Sequence, residues 1–156
     1  MRRSDRELKD RQDLLGVLGR ADSCHLAMVD QGSPYLVTMN FGFEWTGDLP
    51  VLYLHSAREG RKITVLRRNP EVCFSLDVDH RLVEGPEACH FGMAYGSLVG
   101  MGTVEFVEDS KESERGLRLL MSQYTGREDF SFEARVLAQT QVLKIVVREV
   151  SGKRKG

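Results

Sequence analysis

The sequence is poor in cysteine, in proline and in long apolar runs, and it has almost no charge imbalance. Only Cys24, Cys73 and Cys89 carry thiols. An odd, sparse set of thiols is no disulfide framework, and it points to a soluble protein of the reducing cytoplasm. No apolar run approaches the roughly 18 residues of a membrane span. The opening residues are charged instead of forming the apolar centre of a signal peptide, so no membrane association is expected. Lysine and arginine number 22 against 23 aspartate and glutamate, a formal net charge of -1. A general nucleic-acid binder usually carries a basic excess, so that class is set aside, although a local basic pocket is not.

Several catalytic signatures are missing too. There is no G-x-x-x-x-G-K-[ST] phosphate loop, no G-x-S-x-G elbow and no H-E-x-x-H helix. Gly100-Met101-Gly102 is a fragment of a dinucleotide fingerprint without its third glycine. What remains is one chain of 156 residues, the size of a single domain of about 100–150 residues. It has no internal repeat and no linker. Positions 1–20 form an N-terminal helical segment, and 152–156 a basic tail expected to be exposed.

The hydrophobic pattern predicts mainly strands. Leu14, Leu15, Val17 and Leu18 suit one face of a short helix that stops near Gly19. Cys24–Val29 and Tyr35–Phe43 read as a hairpin, and Val51–His55 as a third strand. Ser56-Ala57-Arg58-Glu59 fits a capping box opening a helix that carries Ile63, Val65 and Leu66. Asn69-Pro70 should end that helix. Glu71–Val78 is a fourth strand, and His80–Tyr95 reads as a long irregular loop. Leu98–Val107 and Thr140–Val150 are further strands, with a helix over Glu112–Tyr124 between them. Phe130–Leu137 is ambiguous. About six strands joined mostly by turns predict antiparallel pairing and a closed or nearly closed barrel.

Three groups of residues could carry chemistry. Arg61 and Lys62 lie in the first turn after the third strand. Amide donors at a helix start, a planar guanidinium and a compact ammonium suit a phosphomonoester; the plainer reading is a solvated helix start. Thr38-Met39-Asn40-Phe41 mixes apolar and hydrogen-bonding residues on extended backbone. It could hold a flat heterocycle or be an ordinary amphipathic strand. Cys24-His25 and Cys89-His90 are ligand types used by zinc. Neighbouring strand residues face opposite ways, however, so Cys24 and His25 should not share one ion, and with no C-x-x-C pair no metal site is expected. Cys89, in the predicted long loop, could also be a reactive thiol.

The ordered combination of these pieces resembles a known family. Pro34-Tyr35-Leu36-Val37-Thr38-Met39-Asn40-Phe41-Gly42 is followed by Leu52-Tyr53-Leu54-His55-Ser56-Ala57 and Glu59-Gly60-Arg61-Lys62. Asn69-Pro70-Glu71-Val72-Cys73-Phe74, Tyr95-Gly96-Ser97-Leu98-Val99-Gly100-Met101-Gly102 and Tyr124-Thr125-Gly126 come later. From about Asp5 to Lys155 this resembles the flavin-binding split-barrel proteins related to pyridoxamine 5'-phosphate oxidase, above all the branch of the 5-nitroimidazole resistance proteins.

The resemblance implies a mainly β fold with flanking helices: a six-stranded antiparallel split barrel of Greek-key type. It also implies a homodimer with FMN at the subunit interface. Thr38, Met39, Asn40 and Phe41 would lie along the flavin ring, and Leu54, His55 and Ser56 would line it. Arg61 and Lys62 would grip the phosphate, and Ser97 would reach the cofactor, often from the second subunit. The implied activity is that of a small FMN-dependent oxidoreductase passing electrons to a small-molecule acceptor such as a nitro group. His55 would be its proton donor or substrate-orienting residue. A non-catalytic flavin carrier or a haem-type split barrel is the alternative. Ser97 stands where the oxidase has glutamine, Gly96 where the resistance branch more usually has arginine, and the oxidase's C-terminal substrate motif is missing. These departures argue against pyridoxamine-phosphate oxidase activity itself.

Overall fold

Strand by strand, alternating side chains lay down one continuous curved sheet. The computed structural model describes residues 3–156. Strand β2 (Cys24–Asp30) buries Cys24, Leu26 and Met28 and turns His25, Ala27 and Val29 outward, the period-two pattern of a half-buried strand. Gln31 and Gly32, both with positive φ, join it to β3 (Ser33–Met39), as a two-residue hairpin turn requires. Strands β4 (Phe41–Glu44) and β5 (Val51–Ala57) follow, then helix α2 (Arg61–Arg68). Strands β6 (Glu71–Val83) and β7 (Gly92–Val107) come next. Helices α3 (Ser110–Thr125) and α4 (Ala134–Gln139) and strand β8 (Thr140–Lys155) complete the chain. Helix α1 (Arg11–Arg20) and the two-residue strand β1 (Glu7–Leu8) precede them.

All pairings are antiparallel, in the order β3-β2-β6-β7-β8-β5-β4, with β1 added to the end of β8. The two ends of this order, β3 and β4, are separated in the chain by Asn40 alone. One residue spans only about 3.3–3.6 Å. The sheet must therefore curl until its edges meet, which makes it a barrel.

Two apolar clusters hold it. The larger fills the barrel with Leu26, Phe41, Leu54, Phe74, Leu98 and Leu143, and takes Val17 and Leu18 from α1 and Ile63, Val65 and Leu66 from α2. Each such side chain contributes about 1.5–3 kcal/mol on burial. The smaller lies outside the barrel, where α3 covers Tyr53, Val107 and Val142 with Leu117 and Leu119.

Several expectations are corrected. Among the described residues the count is eight strands, because Tyr35–Phe43 is cut at Asn40 and β1 is added. The predicted loop His80–Tyr95 is largely hairpin: β6 and β7 stay paired as far as Val83↔Gly92. Charged residues hid this outer end, which passes a register shift beside Asp79, held at φ 60 and bound by Arg20. The basic tail is strand as well. Gly152, Lys153, Arg154 and Lys155 pair with β7, and Gly152 is buried. Helix α1 continues through Gly19 to Arg20, with Asp10 accepting the Gln12 N–H as its cap. The ambiguous 130–137 segment contains the start of α4. Among the described residues, no helix is long and apolar enough to cross a membrane.

Candidate functional site

The barrel is not sealed all the way round. Strand β5 pairs with β8 along its whole length, from Val51↔Val146 to Ala57↔Thr140. On its other side, β4 matches only Val51 to Leu54. There the chain turns at Asn40 and leaves to pair with β2 as β3. His55, Ser56 and Ala57 therefore have a strand on one side only, and so does β3. Extended backbone on both borders of this seam is left with unshared hydrogen-bonding groups.

The corner at Asn40 is fixed from outside. The Phe41 N–H donates to the Tyr124 hydroxyl at 3.1 Å, and that hydroxyl donates to the Asp22 carbonyl at 3.0 Å. Asn40 Nδ2 reaches the same carbonyl at 3.4 Å. Thr38 and Asn40 are exposed, whereas Met39, Phe41 and Leu54 point into the core. Those three side chains build the barrel wall, so what they offer a ligand is backbone. Ser56 shares its side of the sheet with buried Gln141, its partner in register. Gln141 donates to the carbonyls of Val107 and Val142, and its Oε1 has no partner among the described residues.

The capping box does not form. Ser56 and Ala57 still belong to β5, and α2 begins at Arg61 with Gly60 as N-cap. Gly60 adopts φ 122 and ψ 170, backbone open essentially to glycine alone. Among the described residues no side chain caps the helix, so its first amides keep their donor capacity. The S-x-x-E spacing was misleading because Ser56 is held extended by β8.

From that start the two cations diverge. Arg61 Nε donates to Asp30 Oδ2 at 2.9 Å, and its guanidinium lies 4.3 Å from the centroid of the Tyr35 ring. A shallow cleft of about 430 Å³ opens there, lined by Asp30, Gln31, Ser33, Arg61, Thr64 and Arg68. The Lys62 charge acts on His55 instead. Partial burial lowers the Lys62 pKa. His55 is lowered as well, first by loss of solvent and then by the Lys62 ammonium. Among the described residues no carboxylate pairs with Lys62. A half-buried cation beside a titratable imidazole is an incomplete arrangement that an anion would complete.

Sequence reasoning missed Asp30, Tyr35, Asp22 and Tyr124. Asp30 and Tyr35 flank a hairpin turn, and only the packing of α2 against β2 brings Arg61 to them. Ser97 is not brought to the seam. It faces outward from β7, which stands three places from β3 and two from β5 in the sheet order. With Glu7, Val99, Ser151 and Lys153 it lines a separate cleft of about 410 Å³.

Fold and seam define the class: an antiparallel split barrel with flanking helices and a cation-bearing helix start at its opening. The chain belongs to the pyridoxamine 5'-phosphate oxidase family, whose sequence model matches residues 10–154. A Bacteroides thetaiotaomicron structure, of a protein assigned to 5-nitroimidazole antibiotic resistance, is 36% identical. That match covers 94% of this chain and 85% of that one, with a TM-score of 0.83. The flavocytochrome Anf3 of Azotobacter vinelandii superposes with a TM-score of 0.81 at 19% identity, over 100% of this chain and 72% of its own. An FAD-binding protein of Mesorhizobium loti gives 0.68 at 22% identity, over 97% and 98%. The last two likenesses are likenesses of fold. None of the curated proteins compared matches the chain.

Proposed function

We propose that this protein is a homodimeric, FMN-dependent oxidoreductase of the cytoplasm that reduces a small acceptor of the nitroaromatic kind. The observation carrying this reading is the seam, with the uncapped start of α2 and the unpaired Lys62 ammonium beside His55. A flat ring with hydrogen-bonding edges suits the open backbone of Thr38–Asn40 and His55–Ser56. A phosphate suits Lys62, the amides of α2 and the guanidinium of Arg61, whose Nη atoms are not used by Asp30. Membership of the oxidase family, 36% identity to the resistance-assigned relative and the flavin named for two fold relatives agree with this.

Bound FMN would supply the electron transfer, fed by an external reductant. The chain's own residues do the rest. Lys62 and Arg61 bind the phosphate, and extended backbone orients the ring. The His55 imidazole holds the proton that a reduced acceptor takes up. Its lowered pKa keeps it neutral near pH 7 until anionic charge arrives beside it.

The test is the visible spectrum of purified protein before and after added FMN and FAD, followed by anaerobic reduction and a panel of nitroaromatic acceptors. Flavin retention and acceptor reduction faster than with free flavin are expected. A colourless protein that takes up neither flavin sinks the proposal. Tight flavin with no accelerated acceptor would make the protein a flavin carrier and refute the enzymatic part.

A further inference from the structure

The outer end of the β6–β7 hairpin carries a second cluster of chemically active groups. After Val83 the chain runs through Gly85 and Pro86 into a single 3-10 turn over Ala88–His90. The His90 amide donates to the Glu87 carbonyl at 2.8 Å and closes the turn. In a strand, neighbouring residues diverge, which is why Cys24-His25 cannot share an ion. In a tight helical turn they do not, and the spacing Glu87-x-Cys89-His90 gathers three donor atoms on one side.

The distances are specific. Cys89 Sγ lies 3.5 Å from His90 Nδ1 and 3.7 Å from Glu87 Oε2, and the latter two atoms are 4.0 Å apart. A tetrahedral ion with zinc–sulfur, zinc–nitrogen and zinc–oxygen bonds of about 2.3, 2.05 and 2.0 Å needs donor separations of about 3.5, 3.5 and 3.3 Å. Two of the three match within about 0.2 Å, and a small rotation of the Glu87 side chain closes the third. The turn is held in this form by its neighbour. A Cβ on Gly85 would lie 2.8 Å from the His90 carbonyl oxygen and still closer to the His90 Cβ. Residue 85 therefore packs directly against His90 and leaves no room for a side chain.

We propose that Glu87, Cys89 and His90 form a binding site for a borderline-soft divalent cation of the zinc type, with the fourth position open to water or an exogenous ligand. The donor set decides the metal class. One thiolate, one imidazole and one carboxylate favour zinc or cobalt over calcium or magnesium, which select oxygen ligands. All three side chains are exposed, so the ion has direct access. Binding releases the thiol proton to solvent, and no redox step is involved.

The full chain, reduced and stripped with a chelator, is titrated with Co2+. One equivalent should give ligand-field bands in the red, clear of flavin absorption, and a thiolate charge-transfer band; Zn2+ should bleach both. Cys89→Ser should abolish the charge-transfer band, and Cys73→Ser should leave it intact. His90→Gln and Glu87→Gln should each weaken Co2+ binding by at least the 10–100-fold or so that loss of a supporting group costs. Wild-type protein without thiolate bands, or bands that survive Cys89→Ser, overturns the proposal. Circular dichroism of each variant separates loss of ligand from loss of fold.

Discussion

At the scale of single residues, the informative pair is Lys62 and His55. Both are held below their ordinary pKa, Lys62 by desolvation and His55 by desolvation first and the Lys62 charge second. Removing the ammonium removes only the smaller cause. In Lys62→Ala the imidazole should therefore titrate higher than in wild type yet below the ordinary value of about 6.5. Added FMN should raise it in wild type, because a phosphate favours the charged ring. NMR titration of the His55 ring reads all three; an ordinary pKa in wild type, unmoved in the variant, would contradict the arrangement. Because folding depresses this pKa, the neutral imidazole's contribution to stability is full above the unfolded value and declines as the pH falls below it. For ligand affinity, Lys62→Ala loses a charge-assisted contact of about 1.5–3 kcal/mol. FMN should bind about 10- to 150-fold more weakly. Arg61→Ala should also weaken binding, by less, since Asp30 and Tyr35 already share that guanidinium. Unchanged affinity in both variants rules out the phosphate assignment.

Among the elements, α2 and the β3–β4 corner set the geometry of the seam. Helix α2 can start where it does because Gly60 occupies a backbone region closed to other residues. Gly60→Ala should cost about 1–3 kcal/mol and shift the cations of the first turn, so denaturant midpoint and FMN affinity should fall together. The corner depends on the Tyr124 hydroxyl, which serves both the Phe41 amide and the Asp22 carbonyl. Tyr124→Phe leaves that amide without its partner, at about 1–3 kcal/mol in urea unfolding. A midpoint equal to wild type would show that the corner does not need it. The same elements show what could be read from sequence. The apolar face of α2 and the alternation of β2 are local patterns, and both were legible. The seam's two borders and its cations also fall within segments singled out in the sequence, Thr38–Phe41, Leu54–Ser56 and Arg61-Lys62. The engagement of Arg61 by Asp30 was not legible, because it depends on a contact between residues 31 positions apart in the chain. The β6–β7 hairpin was hidden for a different reason: on β6 its outer end is exposed at every position from Asp79 to Leu82 and leaves no hydrophobic period to find.

For the whole molecule, the question is how Ser97 could belong to a flavin site at all. Within one chain, β7 and the seam lie on different parts of the barrel. The face around Ser97 suggests the answer. By register, Leu36, Ala27, Cys73 and Met101 form one row across β3, β2, β6 and β7, and Val99 follows in the next. Leu36 is 58% exposed, Val29 48%, Val99 47% and Met101 45%. Contiguous apolar residues on an open sheet face mark an interaction surface. A second copy seated there would cover the row and carry its own Ser97 toward the first copy's seam, completing a site that one chain leaves half-built. The double variant Val99→Asp/Met101→Asp keeps both core clusters, because these side chains point outward. It should retain wild-type secondary structure, convert a two-chain species to a one-chain species by light scattering at micromolar protein, and lose FMN in the same step. Ser97→Ala should weaken FMN without dissociating the copies. A wild-type protein that is monomeric yet binds FMN tightly would show that the seam alone suffices and would remove Ser97 from the site.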